Sequence, residues 1–296
     1  MPKSLVTGGA GFIGSNLVEY LQKQGHQVSI IDNESANNDK FYWAEGNVGA
    51  HVADITDYSS IRPLFEGVDY VFHLAAESRL QPAIENPINA VTKNCVGTTT
   101  VLQCAREANV QRFVYSSTSS GYGNNPYPNV ETQPDDCLNP YSASKVAGEK
   151  FCKMYNDLYG LETVVLRYFN VFGNRSPSRG QYAPVISIFQ RQKEAGESLT
   201  IVGDGSQRRD FVHVEDVARA NYLAAILPIK EHGGEVFNVG SGKCYSIQSI
   251  ADAIDSNQVY IPSRSGEMDT TFADITKIGK VLGWTPEIDV LEWLKE

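Results

Sequence analysis

The run LVTGGAGFIGSN, close to the amino terminus, constrains the fold more than any other part of the sequence. Its glycines Gly8, Gly9, Gly11 and Gly14 follow an apolar run, KSLVTG, and open a helical pattern, FIGSNLVEYLQKQG, after which comes a second apolar run, HQVSIID. Glycine permits a tight turn and a close approach of the backbone to a pyrophosphate, and the helix start presents unpaired N–H groups. This order predicts a βαβ unit that binds a dinucleotide.

An acidic residue, Asp32, ends the second apolar run, about 20 residues beyond the glycine loop. A carboxylate at this place accepts hydrogen bonds from the ribose hydroxyls of NAD and repels the 2′-phosphate of NADP, so the sequence favours NAD. At the end of the next run, Asp54 is placed to reach the adenine edge. Its neighbour Asp57 has the alternative role of capping the helix that follows.

Short apolar runs alternate with helical patterns as far as LETVVLRYFNVFG, which is typical of buried parallel strands joined by helices. We expect an α/β fold with a Rossmann-type, doubly wound parallel sheet. Turn-rich segments and shorter elements follow. We expect residues 1–173 and 210–242 to form an NAD-binding domain, and residues 174–209 and 243–296 to form a smaller, interleaved α/β domain that binds the substrate.

The net charge of −10 argues against a sequence-independent interaction with nucleic acid, although a local arginine cluster can still bind a small anion. The five cysteines form no Cys-x-x-Cys pair, so we expect reduced thiols, no disulfides and no metal site. The sequence has no leader pattern at its start and no run of about eighteen apolar residues. We expect a soluble, cytoplasmic protein that does not enter a membrane.

Tyr141 and Lys145 lie one turn apart in the helical pattern NPYSASKVAGEKFCKMY. Such a pair is common by chance, and alone it indicates only the solvated edge of a helix. A free phenol has a pKa of about 10 and is protonated at neutral pH, whereas a nearby ammonium group favours the phenolate. The pair is therefore a candidate base if the rest of the chain supports oxidation of an alcohol.

Nine motifs in order resemble the extended short-chain dehydrogenase/reductases that act on nucleotide sugars: TGGAGFIG, DN, ADI, HLAAES, YSST, YSASK, RYFNVFG, RRDFVHVEDVA and FNVGSG. Within this family the chain is most similar to the UDP-hexose 4-epimerases, including those that accept N-acetylhexosamines. The resemblance implies an NAD-dependent isomerase that takes hydride from C4 of a UDP-sugar and returns it to the other face of a 4-keto intermediate.

The resemblance also implies roles for individual residues. Tyr141 is the base, Lys145 supplies positive charge, and Thr118 hydrogen-bonds the reacting oxygen. The residues implied in NAD binding are Gly8, Gly11, Phe12, Ile13, Gly14, Asp32, Asn33, Asp54, Ile55, Leu74, Ala75, Ala76, Asn94, Ser116, Tyr141, Lys145 and Tyr168. The residues implied in substrate binding are Ser78, Thr118, Tyr141, Asn170, Gln181, Tyr182, Arg209, Arg264, Glu267 and Thr271.

Some of these assignments are more specific. Asn170, Arg209 and Arg264 are expected at the sugar diphosphate, where two arginines on separate segments would bind phosphate oxygens. Gln181 and Tyr182 are expected at the uridine. One subgroup of epimerases carries a lysine at the position of Ser78, so this chain departs from that subgroup in one cofactor contact. The family commonly dimerises through two helices, here PINAVTKNCVGTTTVLQCAREA and YSASKVAGEKFCKMYNDLYG.

Thr271 follows Glu267 by four residues in RSGEMDTTFAD, where related epimerases often carry a tyrosine that crowds the C2 substituent of the sugar. Threonine is smaller, and removing a steric exclusion relaxes specificity. The resemblance therefore implies activity on UDP-GlcNAc and UDP-GalNAc as well as on UDP-glucose and UDP-galactose. The alternative is that Thr271 only packs beside Phe272 at a domain edge.

Other reactions and one non-catalytic function remain open. A nucleotide-sugar 4,6-dehydratase, or a UDP-glucuronate decarboxylase, typically carries an acid after the active-site threonine, where this chain has Ser119 and Ser120. A UDP-uronic acid 4-epimerase would use the same catalytic core. A non-catalytic protein that senses NAD could share the fold, but Tyr141, Lys145 and Thr118 argue against it.

Overall fold

The computed structural model describes residues 1–36, 40–44, 49–179, 183–229, 232–262 and 269–295. The strands are β1 (Lys3–Thr7), β2 (Gln27–Asp32), β3 (Gly49–Val52), β4 (Tyr70–His73), β5 (Arg112–Thr118), β6 (Thr163–Tyr168), β7 (Asn170–Phe172), β8 (Leu199–Val202), β9 (Arg208–Arg209), β10 (Phe211–His213), β11 (Val236–Val239), β12 (Tyr245–Ser246) and β13 (Gln258–Ile261).

The α-helices are α1 (Phe12–Lys23), α2 (Tyr58–Ile61), α3 (Leu80–Glu85), α4 (Pro87–Val91), α5 (Thr98–Glu107), α6 (Pro140–Tyr159), α7 (Val185–Glu194), α8 (Val214–Ile226), α9 (Ile247–Ile254), α10 (Thr276–Leu282) and α11 (Val290–Trp293). Short 3₁₀ turns occupy Arg62–Phe65 and Ser119–Tyr122, and a π-helical segment, Thr92–Gly97, joins α4 to α5. Among the helices in the described ranges, none combines the length and apolar character needed to cross a bilayer.

Seven parallel strands form one sheet in the order β11-β6-β5-β4-β1-β2-β3. The chain enters at β1, winds outward through β2 and β3, and then returns to pair β4 with the other side of β1. In doubly wound sheets, ligands bind where the winding reverses, beyond the carboxyl ends of the strands. The Rossmann-type sheet predicted from the sequence is confirmed, and its reversal lies between β1 and β4.

Helices cover both faces of this sheet, which explains why its central strands read as continuous apolar runs. Every residue of β5 and β6 is buried. On one face, α1 and α8 contribute Leu17 and Val217 to an apolar core. On the other face, α5 and α6 contribute Leu102 and Tyr155 to a second core.

A smaller unit gathers around a third apolar core that includes Phe172, Phe189, Ile201, Phe211 and Ile250. Its strands form two-stranded ladders: β7 with β10 and β8 with β13 are parallel, and β9 with β12 is antiparallel. The division into domains that we drew from the sequence stays a proposal, and α10 departs from it. Ile278 and Leu282 pack in the core of the large sheet, although residues 243–296 were assigned to the smaller domain.

A single carboxylate, that of Asp210, ties the two units together. It is fully buried and accepts hydrogen bonds from the N–H and hydroxyl groups of Ser241 (2.6 and 2.8 Å) and from the N–H groups of Gly242 and Ala273 (both 3.1 Å). Ser241 and Gly242 follow β11 of the large sheet, whereas Asp210 lies between β9 and β10. The segment that carries Arg209 is thereby held at the edge of the large sheet.

Candidate active site

A cavity of about 920 Å³ lies at the carboxyl ends of the parallel strands. It extends from the glycine loop after β1, past the ends of β2, β4 and β5, to the segment that follows β6. The predicted site residues that line it are Gly8, Gly11, Phe12, Ile13, Gly14, Asp32, Asn33, Ile55, Leu74, Ala75, Ala76, Ser78, Ser116, Thr118, Tyr141, Lys145, Tyr168, Asn170 and Arg209.

The glycine loop fits a pyrophosphate. Gly8 has a positive φ of 71°, and a Cβ on Gly14 would lie 2.1 Å from the carbonyl oxygen of Gly8, so a larger residue would force the loop away from α1. Among the described residues, no side chain caps the start of α1, and its first turn holds no acidic residue. The partial positive charge and the free N–H groups of this helix end are therefore left for an anion.

Asp32 gives the same cavity a fixed negative group at the end of β2. Its side chain is 8% exposed and accepts hydrogen bonds from the N–H groups of Ala10 (3.1 Å) and Glu34 (2.9 Å). Burial raises the pKa of this carboxyl, and these hydrogen bonds oppose the rise. A carboxylate oxygen has further lone pairs for ribose hydroxyls, so the residues present fit NAD.

Asp54 is not among the described residues that line the cavity, but it contacts two residues that do line it. Asn33 donates to it over 3.1 Å, and Lys93 forms an ion pair with it. Burial opposes ionisation of Asp54, but hydrogen bonds from Lys93 and Thr56 outweigh burial and hold its pKa below the ordinary range. Contact with the adenine edge stays a prediction, and the expected capping role of Asp57 is confirmed by its bond to Ser60 N (3.2 Å).

The start of α6 brings the predicted catalytic groups together. Asn139 caps the helix by accepting from Ser142 N (2.9 Å), which places Tyr141 in the first turn. Thr118, at the end of β5, lines the same cavity and lies close enough to Tyr141 to lower the pKa of its phenol. Lys145, one turn further along α6, is 3% exposed, and its Nζ lies 4.3 Å from the centroid of the Tyr115 ring.

The pKa of Tyr141 shifts in the direction opposite to the one expected from its proximity to Lys145. Burial raises the pKa of Tyr141, the neighbouring Thr118 opposes the rise, and the nearby Glu77 adds to it. Burial also lowers the pKa of the Lys145 ammonium to about 8. The protein by itself therefore holds Tyr141 as a phenol, although its proximity to Lys145 led us to expect a shift toward phenolate.

Asn94, expected near the cofactor phosphates or in support of the site, supports the cavity wall from behind. It is fully buried; its Oδ1 accepts from Glu77 N (2.8 Å), and its Nδ2 donates to Glu77 O (3.0 Å) and to Ser144 Oγ (2.9 Å). Asn94 thus joins the segment after β4 to α6, beside Lys145. Glu77 itself lines the cavity, and sequence reasoning missed it although it stands inside the motif HLAAES.

The part of the cavity expected to hold the nucleotide sugar includes Asn170 and Arg209. Arg209 donates to the backbone oxygens of Arg208 (2.9 Å) and Asp269 (3.2 Å). Thr271 is only 4% exposed, is not among the described lining residues, and accepts from Asn170 Nδ2 (3.0 Å). The four remaining predicted substrate residues lie outside the described residues: Gln181, Tyr182, Arg264 and Glu267.

The glycine loop, Tyr141 with Lys145 one turn further along α6, and the seven-stranded parallel sheet are the features of an extended short-chain dehydrogenase/reductase. The model of the NAD dependent epimerase/dehydratase family matches residues 4–240, and the chain belongs to this family.

Among curated proteins, the chain is 38% identical over 304 residues to the putative UDP-glucose 4-epimerase of Methanocaldococcus jannaschii, with 98% of this chain and 95% of that protein covered. A solved UDP-glucose 4-epimerase from Thermotoga maritima, with UDP-glucose, matches with a TM-score of 0.93 and 34% identity over 99% of this chain and 96% of that one. The UDP-N-acetylglucosamine 4-epimerase of Methanobrevibacter ruminantium, in complex with UDP-N-acetylmuramic acid, matches with a TM-score of 0.91 and 33% identity over 100% and 96%.

Proposed function

We propose that this chain catalyses the 4-epimerisation of a UDP-hexose. The observation that carries the proposal is that Tyr141 and Thr118 line the same cavity as the glycine loop, with Lys145 one turn away from Tyr141 on α6. An alcohol can be oxidised there because a proton acceptor, a group that orients the oxygen, and a dinucleotide site share one enclosure.

Each of these groups has a defined task. Tyr141 takes the proton of the 4-hydroxyl and later returns it, and Thr118 orients the 4-oxygen by a hydrogen bond. Bound NAD supplies the acceptor and donor of the hydride, and its cationic nicotinamide ring favours the Tyr141 phenolate. Lys145 adds a second positive charge on the same side. Together these charges offset the effect of burial, which by itself raises the pKa of Tyr141.

The diphosphate of the substrate is held at a distance from the reacting C4 of the sugar. Arg209 and Asn170 line the cavity, and Asn170 Nδ2 donates to the backbone oxygen of Asp210, the residue after Arg209, over 2.8 Å. A substrate held by its diphosphate leaves its sugar free to rotate. Such rotation is needed because hydride must leave one face of C4 and return to the other.

We further propose that the sugar range includes N-acetylated hexoses. The similarity to a UDP-N-acetylglucosamine 4-epimerase and the small residue Thr271 support this. Thr271 is buried behind Asn170, so it affects the sugar indirectly, by setting the position of Asn170. A tyrosine at this position would displace Asn170 toward the cavity.

The elimination of water by a 4,6-dehydratase requires an acid and a base near C5 and C6. Ser119 and Ser120 line the cavity immediately after Thr118, and neither hydroxyl acts as an acid at neutral pH. Thr118 Oγ1 donates to Ser120 Oγ (3.2 Å) and accepts from Ser120 N (3.1 Å), so Ser120 orients the threonine. The arrangement favours epimerisation over dehydration.

The test is incubation of the purified protein with UDP-glucose, UDP-GlcNAc, UDP-glucuronate and dTDP-glucose in separate reactions, with products identified by NMR. We expect galacto-configured products from the first two. Deuterium placed at C4 should remain on C4 of the product, without net NADH. A 4-keto-6-deoxy sugar, a pentose, loss of the label to solvent, or turnover of UDP-glucuronate alone would overturn the proposal. A reduced-cofactor absorbance without any new sugar would instead favour a sensing function.

We propose, in addition, that two chains associate through α6 and the helices that precede α5. An apolar strip is exposed on these neighbouring helices: Ile88 is 78% exposed and Leu158 is 65% exposed, with Ile84, Val91 and Val96 also exposed. Apolar surface that is continuous across several helices is typical of an interface. The location agrees with the two helices that the family resemblance implies.

A further inference from the structure

A buried cluster of charged side chains lies directly behind the catalytic groups. Glu149 and Arg167 are 3% and 2% exposed and form a double contact: Arg167 Nε donates to Glu149 Oε1 (2.8 Å) and Arg167 Nη2 to Oε2 (2.6 Å). Ser117 Oγ donates to the same Oε1 over 2.5 Å. Arg167 Nη2 also contacts Asp135 Oδ1 over 2.7 Å. Buried ion pairs are costly to desolvate, so their presence in a core calls for a reason besides stability.

We propose that Glu149 and Arg167 are positioning residues for the reaction, which hold the helix of Tyr141 in register with the strand of Thr118. The inference rests on the proposed epimerase function.

The geometry supports this through the helix spacing. Tyr141, Lys145 and Glu149 follow one another at intervals of four residues, so they lie on one face of α6. Ser117, which binds the Glu149 carboxylate, is the residue before Thr118 on β5. The Glu149 carboxylate therefore links two elements: it belongs to α6, whose first turn carries Tyr141, and it is bound to β5, which ends in Thr118.

The neighbouring strand completes the arrangement. Arg167 lies on β6, which pairs with β5 so that Ser117 is opposite Arg167 and Thr118 is opposite Tyr168. Arg167 Nη1 has no hydrogen-bond acceptor among the described residues, and the guanidinium carbon lies 4.6 Å from the centroid of the Tyr122 ring. This face-on contact compensates part of the charge. Glu149 thus accepts hydrogen bonds from one hydroxyl and one guanidinium, and both donors belong to neighbouring strands of the sheet.

Glu149 also affects the charge at the site. The titratable groups that act on or face Lys145 are Cys152, Glu149, Tyr141, Cys95, Tyr115 and His73, from α6, the π-helical segment, β5 and β4. Burial raises the pKa of the two thiols and two phenols and lowers that of His73, so these groups are neutral at pH 7. Burial lowers the pKa of Lys145, and Glu149 is among the groups that oppose this lowering and favour the ammonium form of Lys145.

The experiment compares three variants of the full-length protein, each with NAD bound. Glu149→Gln keeps the length of the side chain and removes its charge; Glu149→Asp keeps the charge and withdraws the carboxylate. Glu162→Gln is the matched control. Glu162, the residue before β6, pairs with Arg112 at the start of β5 (2.7 Å), and neither is among the described residues that line the active-site cavity. kcat, KM, NAD affinity, unfolding and the pH profile of kcat are measured for all.

We expect both Glu149 variants to lose about 10- to 100-fold in kcat, the scale of a misplacement of about 1 Å, with KM and NAD affinity within about twofold. The alkaline limb of the pH profile should move to lower pH in Glu149→Gln and stay in place in Glu149→Asp. Glu162→Gln should lose stability while keeping kcat.

Two results would overturn the inference: kcat within twofold of wild type in a folded Glu149 variant, or a loss of kcat in Glu162→Gln of the same size. If Glu149→Gln does not fold, Glu149→Asp decides by the same criteria. The wild type is assayed first with UDP-glucose and UDP-GlcNAc. A lack of turnover there would count against the proposed function. An active wild type whose Glu149 variants keep the wild-type kcat would count only against the positioning role.

Discussion

Gly148 lets α6 lie unusually close to β5, and replacing it with alanine should separate the catalytic groups. A Cβ at this position would lie 2.2 Å from Oη and 2.6 Å from Cζ of Tyr115. The Tyr115 ring is fully buried, its hydroxyl donates to the backbone oxygen of Lys145 (3.2 Å), and its face lies under the Lys145 ammonium. The ring therefore cannot turn aside without moving Lys145.

The size of the effect follows from these distances. Carbon and oxygen atoms in contact are about 3.5 Å apart, so helix and ring must separate by more than about 1 Å. Overpacking of this kind costs about 1–3 kcal/mol, and the better helix propensity of alanine returns about 1 kcal/mol. The protein should therefore fold. A displacement of about 1 Å at the site corresponds to about 10²-fold in kcat, or about 2.7 kcal/mol in the barrier.

The assay is steady-state epimerisation at a temperature well below the unfolding midpoint, with urea unfolding measured in parallel. Gly160→Ala, at the end of the same helix, is the control. Gly160 has a φ of 70°, and a methyl group there meets no described atom within 4 Å, so the change costs about 1–2 kcal/mol of backbone strain without displacing the helix. We expect similar stabilities for the two variants and a loss of kcat in Gly148→Ala alone.

A folded Gly148→Ala enzyme with kcat within twofold of wild type would refute this reasoning. The double variant Gly148→Ala/Tyr115→Phe gives a second check. Removing the phenol oxygen leaves Cζ as the nearest atom, at 2.6 Å. Recovery of activity should therefore be partial, and a full recovery would show that the ring had not been the obstacle.

Four further outcomes can be measured. Tyr141→Phe should keep the fold and NAD affinity and lose ~10²-fold or more in kcat, the usual contribution of a general acid–base; wild-type turnover would contradict its role as the base. Because burial places the pKa of Lys145 at about 8, its ammonium is present below that pH and lost above it, so kcat should decline as pH rises through about 8; a profile still rising there would disagree. Thr271→Tyr should lose UDP-GlcNAc and UDP-GalNAc turnover selectively, and an equal loss with UDP-glucose would show a general disturbance through Asn170. Ile88→Asp should convert dimers to monomers in light scattering, and an unchanged mass would reject the proposed interface.

The large sheet could be predicted from the sequence because its strands other than the edge strand β3 carry buried apolar runs, and because the glycine loop requires a strand before it and a helix after it. The short ladders of the smaller unit could not. β9 and β12 have two residues each, and no periodicity can be read from two residues. The helix α10 has a clear apolar face, but a pattern does not say which core that face will join.

Some residues of the site could likewise be placed from the sequence, and others could not. Thr118 and Asp32 could be placed because they end strands, and the ends of parallel strands meet at one edge. Glu77 could not be placed, since it follows a strand in a segment whose path is set by hydrogen bonds exchanged with Asn94, on another element of the chain. The direction of the pKa shift of Tyr141 was missed for a related reason. Proximity to Lys145 is visible in the sequence, but burial is not.

The four hydrogen bonds to Asp210 bear on how enzymes of this kind can be recombined. Its donors come from the turn after β11 and from the segment before α10, whereas the carboxylate itself belongs to the segment that carries Arg209. Three of the four donors are backbone N–H groups, so a chimera that takes its sugar-recognition segments from another epimerase must keep the backbones of these three segments in the same relative position. Grafts that shift one of them would leave a buried carboxylate with fewer donors, and crossover libraries should place their junctions accordingly.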